Sequence, residues 1–213
     1  MRTKERIKIC GVTSVNDAKM VSKFPIDFIG LNFVKRSKRR INLNLAKKIV
    51  KVLRKEIKPV LIFENENINN VFKTARLLRV SYIQLHGIET PEYCRKLKGK
   101  NLKIIKALPA RRSVACYAPA TYETVCDYLL IDSQNKKNQL GGTGKKADWK
   151  IARKIVLKSK IPVFLAGGLN PNNIKDAIKQ VKPYGIDVNS GVETHVGKKD
   201  RKKIEKLFNV GAR

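Results

Sequence analysis

Short runs of apolar and β-branched residues recur along the whole chain, separated by polar segments. Each run is four to seven residues long, which is typical of a buried strand. Their ends lie 22 to 35 residues apart, room for one strand, one helix and two short loops. The pattern predicts eight strands, at Arg6–Cys10, Phe28–Val34, Val60–Phe63, Tyr82–His86, Lys103–Leu108, Tyr128–Asp132, Val163–Gly167 and Ile186–Ser190.

The segments between these runs carry apolar residues at helical spacing. Leu45, Ile49 and Val52, for example, fall on one face of a helix. Residue types that cap helices precede several of these segments, and four N-caps are predicted at Ser14, Asn67, Thr90 and Asp148. Strand and helix therefore alternate over the full length, which predicts parallel strands joined by right-handed crossovers.

Eight strand–helix units close most naturally into a (β/α)8 TIM barrel, and 213 residues is short for this fold. No linker or break in composition divides the chain, so we expect one α/β domain over residues 1–213. An open doubly wound sheet is the main alternative. The polar segment Ser133–Lys146 is expected to be a long, functional loop after the sixth strand.

Lys and Arg number 47 against 17 Asp and Glu, a net charge of +30. This excess favours an anionic ligand or polymer as partner. Many lysines, however, occupy the outward positions of amphipathic helices, as in the segment Ala46–Lys55, and we interpret most of the charge as solvated helix faces. Nucleic-acid binding is the alternative, but the basic runs lack interleaved aromatic residues, and no specific nucleic-acid partner is expected.

The chain shows no run of about 18 apolar residues and no signal peptide at its N-terminus. We therefore expect no membrane association. The four cysteines have no paired spacing, which favours free thiols in a reducing, cytoplasmic setting. With two histidines, His86 and His195, and no His/Cys cluster, neither a metal nor another cofactor is expected.

In a barrel, catalytic groups sit at the carboxyl ends of the strands. Strand one ends in Cys10, and positive charge around it would lower the pKa of the thiol. Strand six ends in Asp132, whose carboxyl could hold a proton if partly desolvated, whereas nearby Lys or Arg would favour its ionised form. A thiolate base facing a carboxylic acid suits proton transfer without a cofactor.

Anion-binding residues are also predicted at this end of the barrel. The turns Gly167-Gly168 and Ser190-Gly191 follow strands seven and eight, the recurrent phosphate site of such barrels. The basic run Lys35–Arg40 follows strand two, and Arg39 within it can grip a carboxylate through two parallel hydrogen bonds.

An ordered set of motifs resembles the phosphoribosylanthranilate isomerase family of tryptophan biosynthesis over essentially the whole chain. The motifs, in chain order, are Lys8-Ile-Cys-Gly-Val-Thr13, Gly30-Leu-Asn-Phe33, Ser37-Lys-Arg39, Gln84-Leu-His-Gly87, Asp132, Gly141-Gly-Thr-Gly144, Leu165-Ala-Gly-Gly-Leu169, Asp187-Val-Asn-Ser-Gly-Val-Glu193 and Gly197-Lys-Lys-Asp200.

The resemblance implies an Amadori rearrangement of N-(5-phosphoribosyl)anthranilate to 1-(2-carboxyphenylamino)-1-deoxyribulose 5-phosphate. By motif match, Cys10 would be the general base and Asp132 the general acid. Arg39 would hold the anthranilate group, with Gln84, His86 and Asp187 also contacting the substrate. Gly167, Gly168, Ser190 and Gly191 would hold the phosphate. A monomer or homodimer is expected.

Two other phosphosugar barrels are alternatives. An indole-glycerol-phosphate synthase would use a catalytic lysine, for which Lys106 on strand five is the candidate. A ribulose-phosphate epimerase would use metal-binding histidines, and the chain has only two histidines.

Overall fold

The computed structural model describes residues 5–111, 113, 119–132 and 148–209. The predicted loop Ser133–Lys146 and Cys116 lie outside the described residues.

Eight parallel strands form one closed barrel in chain order, which confirms the predicted fold. The first strand pairs with the second and also with the eighth, closing the sheet. Every strand begins and ends within two residues of its predicted position. The strands are β1 (Arg6–Ile9), β2 (Phe28–Asn32), β3 (Lys58–Phe63), β4 (Tyr82–Leu85), β5 (Lys103–Pro109), β6 (Tyr128–Asp132), β7 (Val163–Leu165) and β8 (Gly185–Val188).

Helices follow the strands and cover the outside of the barrel. They are α1 (Val15–Val21), α2 (Leu43–Val52), α3 (Ile68–Leu78), α4 (Pro91–Lys98), α5 (Trp149–Lys158), α6 (Ile174–Val181) and α7 (Arg201–Asn209), with a helical turn at 119–122 before β6. All four predicted N-caps are confirmed, since each side chain accepts a hydrogen bond from a backbone N–H of the first helical turn.

A short segment after β8 departs from the regular alternation. It consists of a single 3₁₀ turn, Ser190–Val192, and a small antiparallel hairpin of β9 (Glu193–His195) and β10 (Lys198–Lys199). Thr13, after β1, donates a hydrogen bond from Oγ1 to the carbonyl of Gly197 at 2.6 Å. The hairpin is therefore fastened to the rim at which β1 ends.

Side chains alternate between two hydrophobic layers because successive residues of a strand point to opposite faces. One face packs against the helices in a large cluster that includes Ile29, Leu61 and Ile83. The other face fills the barrel interior, where Phe28 and Phe164 stack edge to face at 5.5 Å between ring centroids. This aromatic floor closes the barrel at the amino ends of its strands.

The helix surfaces carry much of the positive charge, as the sequence pattern predicts. In α2, Ala46 and Ile49 are fully buried, whereas Lys47, Lys48 and Lys51 are exposed. Of the helices in the described part of the chain, none is long and apolar enough to cross a membrane.

Candidate active site

The inward-facing residues of the strands are mostly aromatic near the amino ends of the strands and mostly polar near the carboxyl ends. Lys8, Gln84, Asp132 and Asp187 are all buried. Lys8, Gln84 and Asp187 each lie between two outward-facing apolar neighbours, and Asp132 directly follows the outward-facing Ile131. They therefore share the inner face of the sheet near the carboxyl ends of the strands. Cys10 directly follows β1 and occupies the next inward position on that strand.

Cys10 lies in a tightly built turn at the rim. Its backbone N–H donates to the carbonyl of Val188 at 2.8 Å, which joins the ends of β1 and β8. On the neighbouring strand, a Cβ added to Gly30 would lie 2.8 Å from the Cys10 sulfur. The glycine therefore leaves the space that the thiol occupies.

A buried ion pair lies next to this thiol. Lys8 Nζ donates to Asp187 Oδ2 at 2.8 Å, and the Lys8 side chain has no exposed surface. Burial disfavours the charged form of Lys8, but the charge of Asp187 and a hydrogen-bonding contact with Cys10 raise its pKa above the ordinary value. Asp187 Oδ1 has no hydrogen-bond partner among the described residues. This oxygen is a free acceptor, among the described residues, within the mouth of the barrel, which is the opening at the carboxyl ends of the eight strands.

The pKa of the Cys10 thiol differs from the sequence-based expectation. Burial, together with the charge of Asp187, raises it from an ordinary value of 9.0 to about 11. The positive charges of Lys8 and Lys199 act in the predicted, lowering direction but do not outweigh burial. The thiol is therefore protonated at neutral pH in this structure.

A row of polar side chains in contact crosses the mouth from β4 to β6. Gln84 Nε2 and His86 Nδ1 are 2.7 Å apart, and His86 Nε2 lies 3.5 Å from Asp132 Oδ2. Burial raises the pKa of Asp187, and Asp132 raises it further through its charge, so the two carboxylates lie close enough to interact. The structure thus brings together Cys10 and Asp132, both at the rim of the barrel, through the groups between them.

Arg39, in the loop after β2, forms a buried pair that the sequence interpretation did not include. Its Nε and Nη2 donate to the two carboxylate oxygens of Glu193 at 2.8 and 2.6 Å. Lys199 Nζ donates to Glu193 Oε1 at 2.9 Å. Burial alone would raise the pKa of Glu193, but the hydrogen bonds from Arg39 and the charge of Lys199 hold it below the ordinary value.

The two predicted glycine turns lie against each other. Gly167 and Gly168 have φ angles of 87° and 64°, left-handed conformations that favour glycine. A Cβ on Gly191 would lie 1.9 Å from the carbonyl oxygen of Leu169, so the loops after β7 and β8 touch at this point. Ser190 begins the 3₁₀ turn immediately before it. The four predicted residues therefore form one continuous backbone surface.

Side chains further along the β7 loop hold its first turn in place. The carbonyl of Gly168 accepts hydrogen bonds from Asn173 Nδ2 at 2.9 Å and from Asn170 Nδ2 at 3.2 Å. Asn173 Oδ1 in turn accepts from the backbone N–H of Asn170 at 2.9 Å. These bonds turn the Gly168 carbonyl toward the start of α6.

Lys106 does not reach the mouth. Its neighbours Ile105 and Ala107 belong to the interior cluster, so Lys106 faces the helices instead. There Nζ donates to Glu89 Oε2 and to the carbonyl of Gly87, both at 2.7 Å, and the side chain is buried. The catalytic lysine of the synthase alternative is therefore wrong for this chain.

Three further residues of the mouth, Lys8, Glu193 and Lys199, were missed as functional candidates. Lys8 had a recognisable signal, because it is a charged residue at an inward position between two buried isoleucines. Glu193 and Lys199 lie on the hairpin after β8, where no periodic pattern marks a side chain as buried. Their importance depends on the pairing with Arg39, more than 150 positions earlier.

The closed parallel barrel, with its ionisable side chains gathered at the carboxyl ends of the strands, places this protein in the class of (β/α)8 barrel enzymes. The profile of one family, described as N-(5'phosphoribosyl)anthranilate (PRA) isomerase, matches residues 7–210. The chain belongs to this family.

Relatives and solved structures agree with this assignment. The N-(5'-phosphoribosyl)anthranilate isomerase of Trichlorobacter lovleyi is 38% identical over 207 residues, covering 95% of this chain and 96% of that one. The isomerase of Caldanaerobacter subterraneus is 40% identical over 203 residues, with the same coverage. The crystal structure of the Thermotoga maritima phosphoribosyl anthranilate isomerase superposes with a TM-score of 0.87 at 32% identity, covering 98% of both chains.

Another solved isomerase is in complex with reduced 1-(o-carboxyphenylamino)-1-deoxyribulose 5-phosphate. It superposes with a TM-score of 0.84 at 30% identity, again covering 98% of both chains.

Proposed function

We propose that this chain catalyses the Amadori rearrangement of N-(5-phosphoribosyl)anthranilate to 1-(2-carboxyphenylamino)-1-deoxyribulose 5-phosphate, with Cys10 as general base and Asp132 as general acid. Family membership supports the reaction. One observation carries the roles: the thiol and the carboxyl group occupy inward positions at the same rim, with the Lys8–Asp187 ion pair between them.

The first step falls to Asp132, which would donate a proton to the ribose ring oxygen. The bond from that oxygen to C1 then breaks as the nitrogen lone pair forms a C1=N Schiff base. His86 lies 3.5 Å from the Asp132 carboxylate and is itself held by Gln84, so it would orient the acid without taking part in the proton transfer.

The second step falls to Cys10, which would take the proton from C2. The electrons of that C–H bond form a C1=C2 double bond and neutralise the nitrogen, giving an enolamine that tautomerises to the ketone. Because the resting thiol has a pKa of about 11, it must lose its proton before it acts. The Lys8 ammonium, in contact with the thiol, stabilises the thiolate that results.

The substrate's anionic ends would bind on either side of these groups. The joined turns at Gly167, Gly168, Ser190 and Gly191 expose a surface without bulky side chains, which suits backbone contacts to a phosphate. Arg39 would receive the anthranilate carboxylate. Asp187 Oδ1, buried and without a partner among the described residues, would accept a hydrogen bond from the substrate.

Two further properties remain part of this proposal. The described cysteines, Cys10, Cys94 and Cys126, are free thiols, which supports a reducing, cytoplasmic setting. The Thermotoga maritima relative is described as dimeric. A monomer or homodimer is proposed for this chain.

The experiment measures turnover of phosphoribosylanthranilate through the fluorescence of the anthranilate group, with no added metal or nucleotide. Cys10→Ala and Asp132→Asn should each lower kcat by about 10²- to 10⁴-fold, the usual contribution of a general base or acid. Asp148→Asn is the matched control, because asparagine caps α5 as well as aspartate does.

The outcomes separate the two parts of the proposal. A wild-type chain that does not convert the substrate would refute the reaction. A wild-type chain that converts it, with both site variants equally active and folded by circular dichroism, would refute the roles given to Cys10 and Asp132.

A further inference from the structure

Among the described residues, the guanidinium of Arg39 is hydrogen-bonded along one edge. A guanidinium offers five N–H donors in a fixed plane. Glu193 accepts from Nε and from one proton of Nη2. The outer edge, formed by Nη1 and the second Nη2 proton, makes no hydrogen bond to the described residues. That edge has the fork geometry that matches one further carboxylate.

The negative charge of Glu193 would by itself cancel the positive charge of Arg39. Lys199 adds a second positive charge next to Glu193. Lys199 Nζ donates to Glu193 Oε1 at 2.9 Å and to the carbonyl and Oδ1 of Asn189 at 3.3 and 3.0 Å. Three acceptors match the three donors of a charged ammonium. The cluster of Arg39, Glu193 and Lys199 therefore has a net charge of +1, carried toward the open edge of Arg39.

The cluster also joins separate parts of the rim. Arg39 belongs to the loop after β2, and Glu193 and Lys199 belong to the hairpin after β8. A Cβ added to Gly11 would lie 2.7 Å from both Arg39 Cδ and Asn189 Oδ1, so the cluster borders the turn that follows Cys10. A rotation of the guanidinium would therefore move a substrate carboxylate bound to Arg39 relative to the Cys10 thiol.

We propose that Glu193 is a positioning residue: it fixes the plane of the Arg39 guanidinium so that the outer edge receives the anthranilate carboxylate, while Lys199 preserves the positive charge of the cluster. This inference deepens the proposed function and rests on it. The carboxylate does not change its charge during the rearrangement, so its binding contributes equally to the ground state and the transition state. Loss of that binding raises KM and leaves kcat nearly unchanged.

The test replaces Glu193 by glutamine, which keeps the side-chain shape but removes the charge and one acceptor. We expect Glu193→Gln to raise KM by about 10- to 100-fold, the weight of a hydrogen bond to a charged group. The value of kcat should change by less than about threefold. Glu64→Gln is the matched control, because Glu64 forms the same two-bond pair with Arg36 of the same loop, at a more exposed position.

Two inhibitors distinguish positioning from a general structural role. Anthranilate probes the carboxylate end, and inorganic phosphate probes the other end of the site. In Glu193→Gln, inhibition by anthranilate should weaken by a similar factor while inhibition by phosphate stays as in the wild type. Equal weakening of both, or an unchanged KM, would overturn the inference while leaving the proposed function intact.

A second variant covers the case in which Glu193→Gln does not fold. Arg39→Lys keeps a cation beside Glu193 but has no planar outer edge. It should show the same rise in KM and the same selective loss of anthranilate inhibition. An Arg39→Lys variant with wild-type KM would overturn the inference. A wild-type chain without isomerase activity would instead refute the function on which it rests.

Discussion

The Lys106–Glu89 pair makes a quantitative prediction about the stability of the barrel. The charged groups are 2.7 Å apart, and both side chains are at least 98% buried, with exposed fractions of 1% and 2%. Glu89 also accepts hydrogen bonds from the backbone N–H groups of Asn65 and Gly87, so it joins the loops after β3 and β4. Replacing Glu89 by glutamine leaves the buried Lys106 without a counter-ion among the described residues.

The expected loss in the free energy of unfolding is large because water cannot reach the unpaired ammonium of Lys106. Breaking a buried ion pair from one side costs about 3–5 kcal/mol. For a chain of this size, 1 kcal/mol corresponds to about 2–4 °C in Tm, so Glu89→Gln should lower Tm by roughly 6–20 °C. The double variant Glu89→Gln/Lys106→Met also removes the unpaired ammonium. Its loss in the free energy of unfolding should be smaller than the sum of the losses in the two single variants by about 0.5–3 kcal/mol.

Thermal unfolding followed by circular dichroism, at one fixed scan rate, measures these differences. Lys103→Met is the matched control on the same strand: Lys103 pairs with Asp127 at 3.0 Å, but its side chain is 55% exposed. Its loss should be about 0–1 kcal/mol. The reasoning is refuted if Glu89→Gln unfolds at the wild-type temperature, or if the two single losses simply add in the double variant.

The pair should also give the barrel a specific sensitivity to acid. Burial opposes ionisation of Glu89, but the charge of Lys106 together with the hydrogen bonds from Lys106 and the Asn65 backbone N–H outweighs it and holds the pKa of Glu89 below its ordinary value of 4.5. A depressed pKa contributes stability that is present above the unfolded-state pKa and is lost as the pH falls through the folded-state value. The contribution is therefore lost below about pH 4.5, and the slope of Tm against pH there should decrease in the double variant.

Two further predictions concern the mouth. Alkylation of Cys10 by iodoacetamide should accelerate with pH up to about 11, because about 1 thiol in 10⁴ is ionised at pH 7 when the pKa is about 11; a rate that levels off near pH 9 would contradict this. Gly191→Ala should weaken inhibition by inorganic phosphate, because the new Cβ would lie 1.9 Å from the Leu169 carbonyl and must displace the loop; unchanged inhibition would show that phosphate does not bind at this turn.

The architecture was predictable because it depends on local signals repeated eight times. Each apolar run is short, each is followed by a helical pattern, and caps such as Ser14 and Thr90 mark helix starts in the sequence itself. The carboxyl ends of the strands were predictable for the same reason. Cys10 and Asp132 were candidates because they end apolar runs, and parallel pairing places such ends at one rim.

The charge partners within the mouth were not predictable because they are distant in sequence. Lys8 pairs with Asp187 across 179 positions, and no local pattern signals that contact. The pKa of Cys10 shows the same limit. Nearby positive charge predicts a lowered value, whereas the complete burial of the turn decides the outcome in the opposite direction. For Lys106, the sequence places a lysine on a strand but does not show which face of the sheet it occupies.

The seam between β1 and β8 makes the site depend on parts of the chain that are far apart in sequence. The first strand carries Lys8 and is followed directly by Cys10. The eighth strand, close to the other end of the described chain, carries the only carboxylate hydrogen-bonded to that lysine among the described residues. A growing or truncated chain that stops before β8 holds Cys10 and Lys8 but lacks Asp187, which acts on the pKa of both. We therefore expect split halves of the barrel to be inactive until they associate and complete the ring of strands.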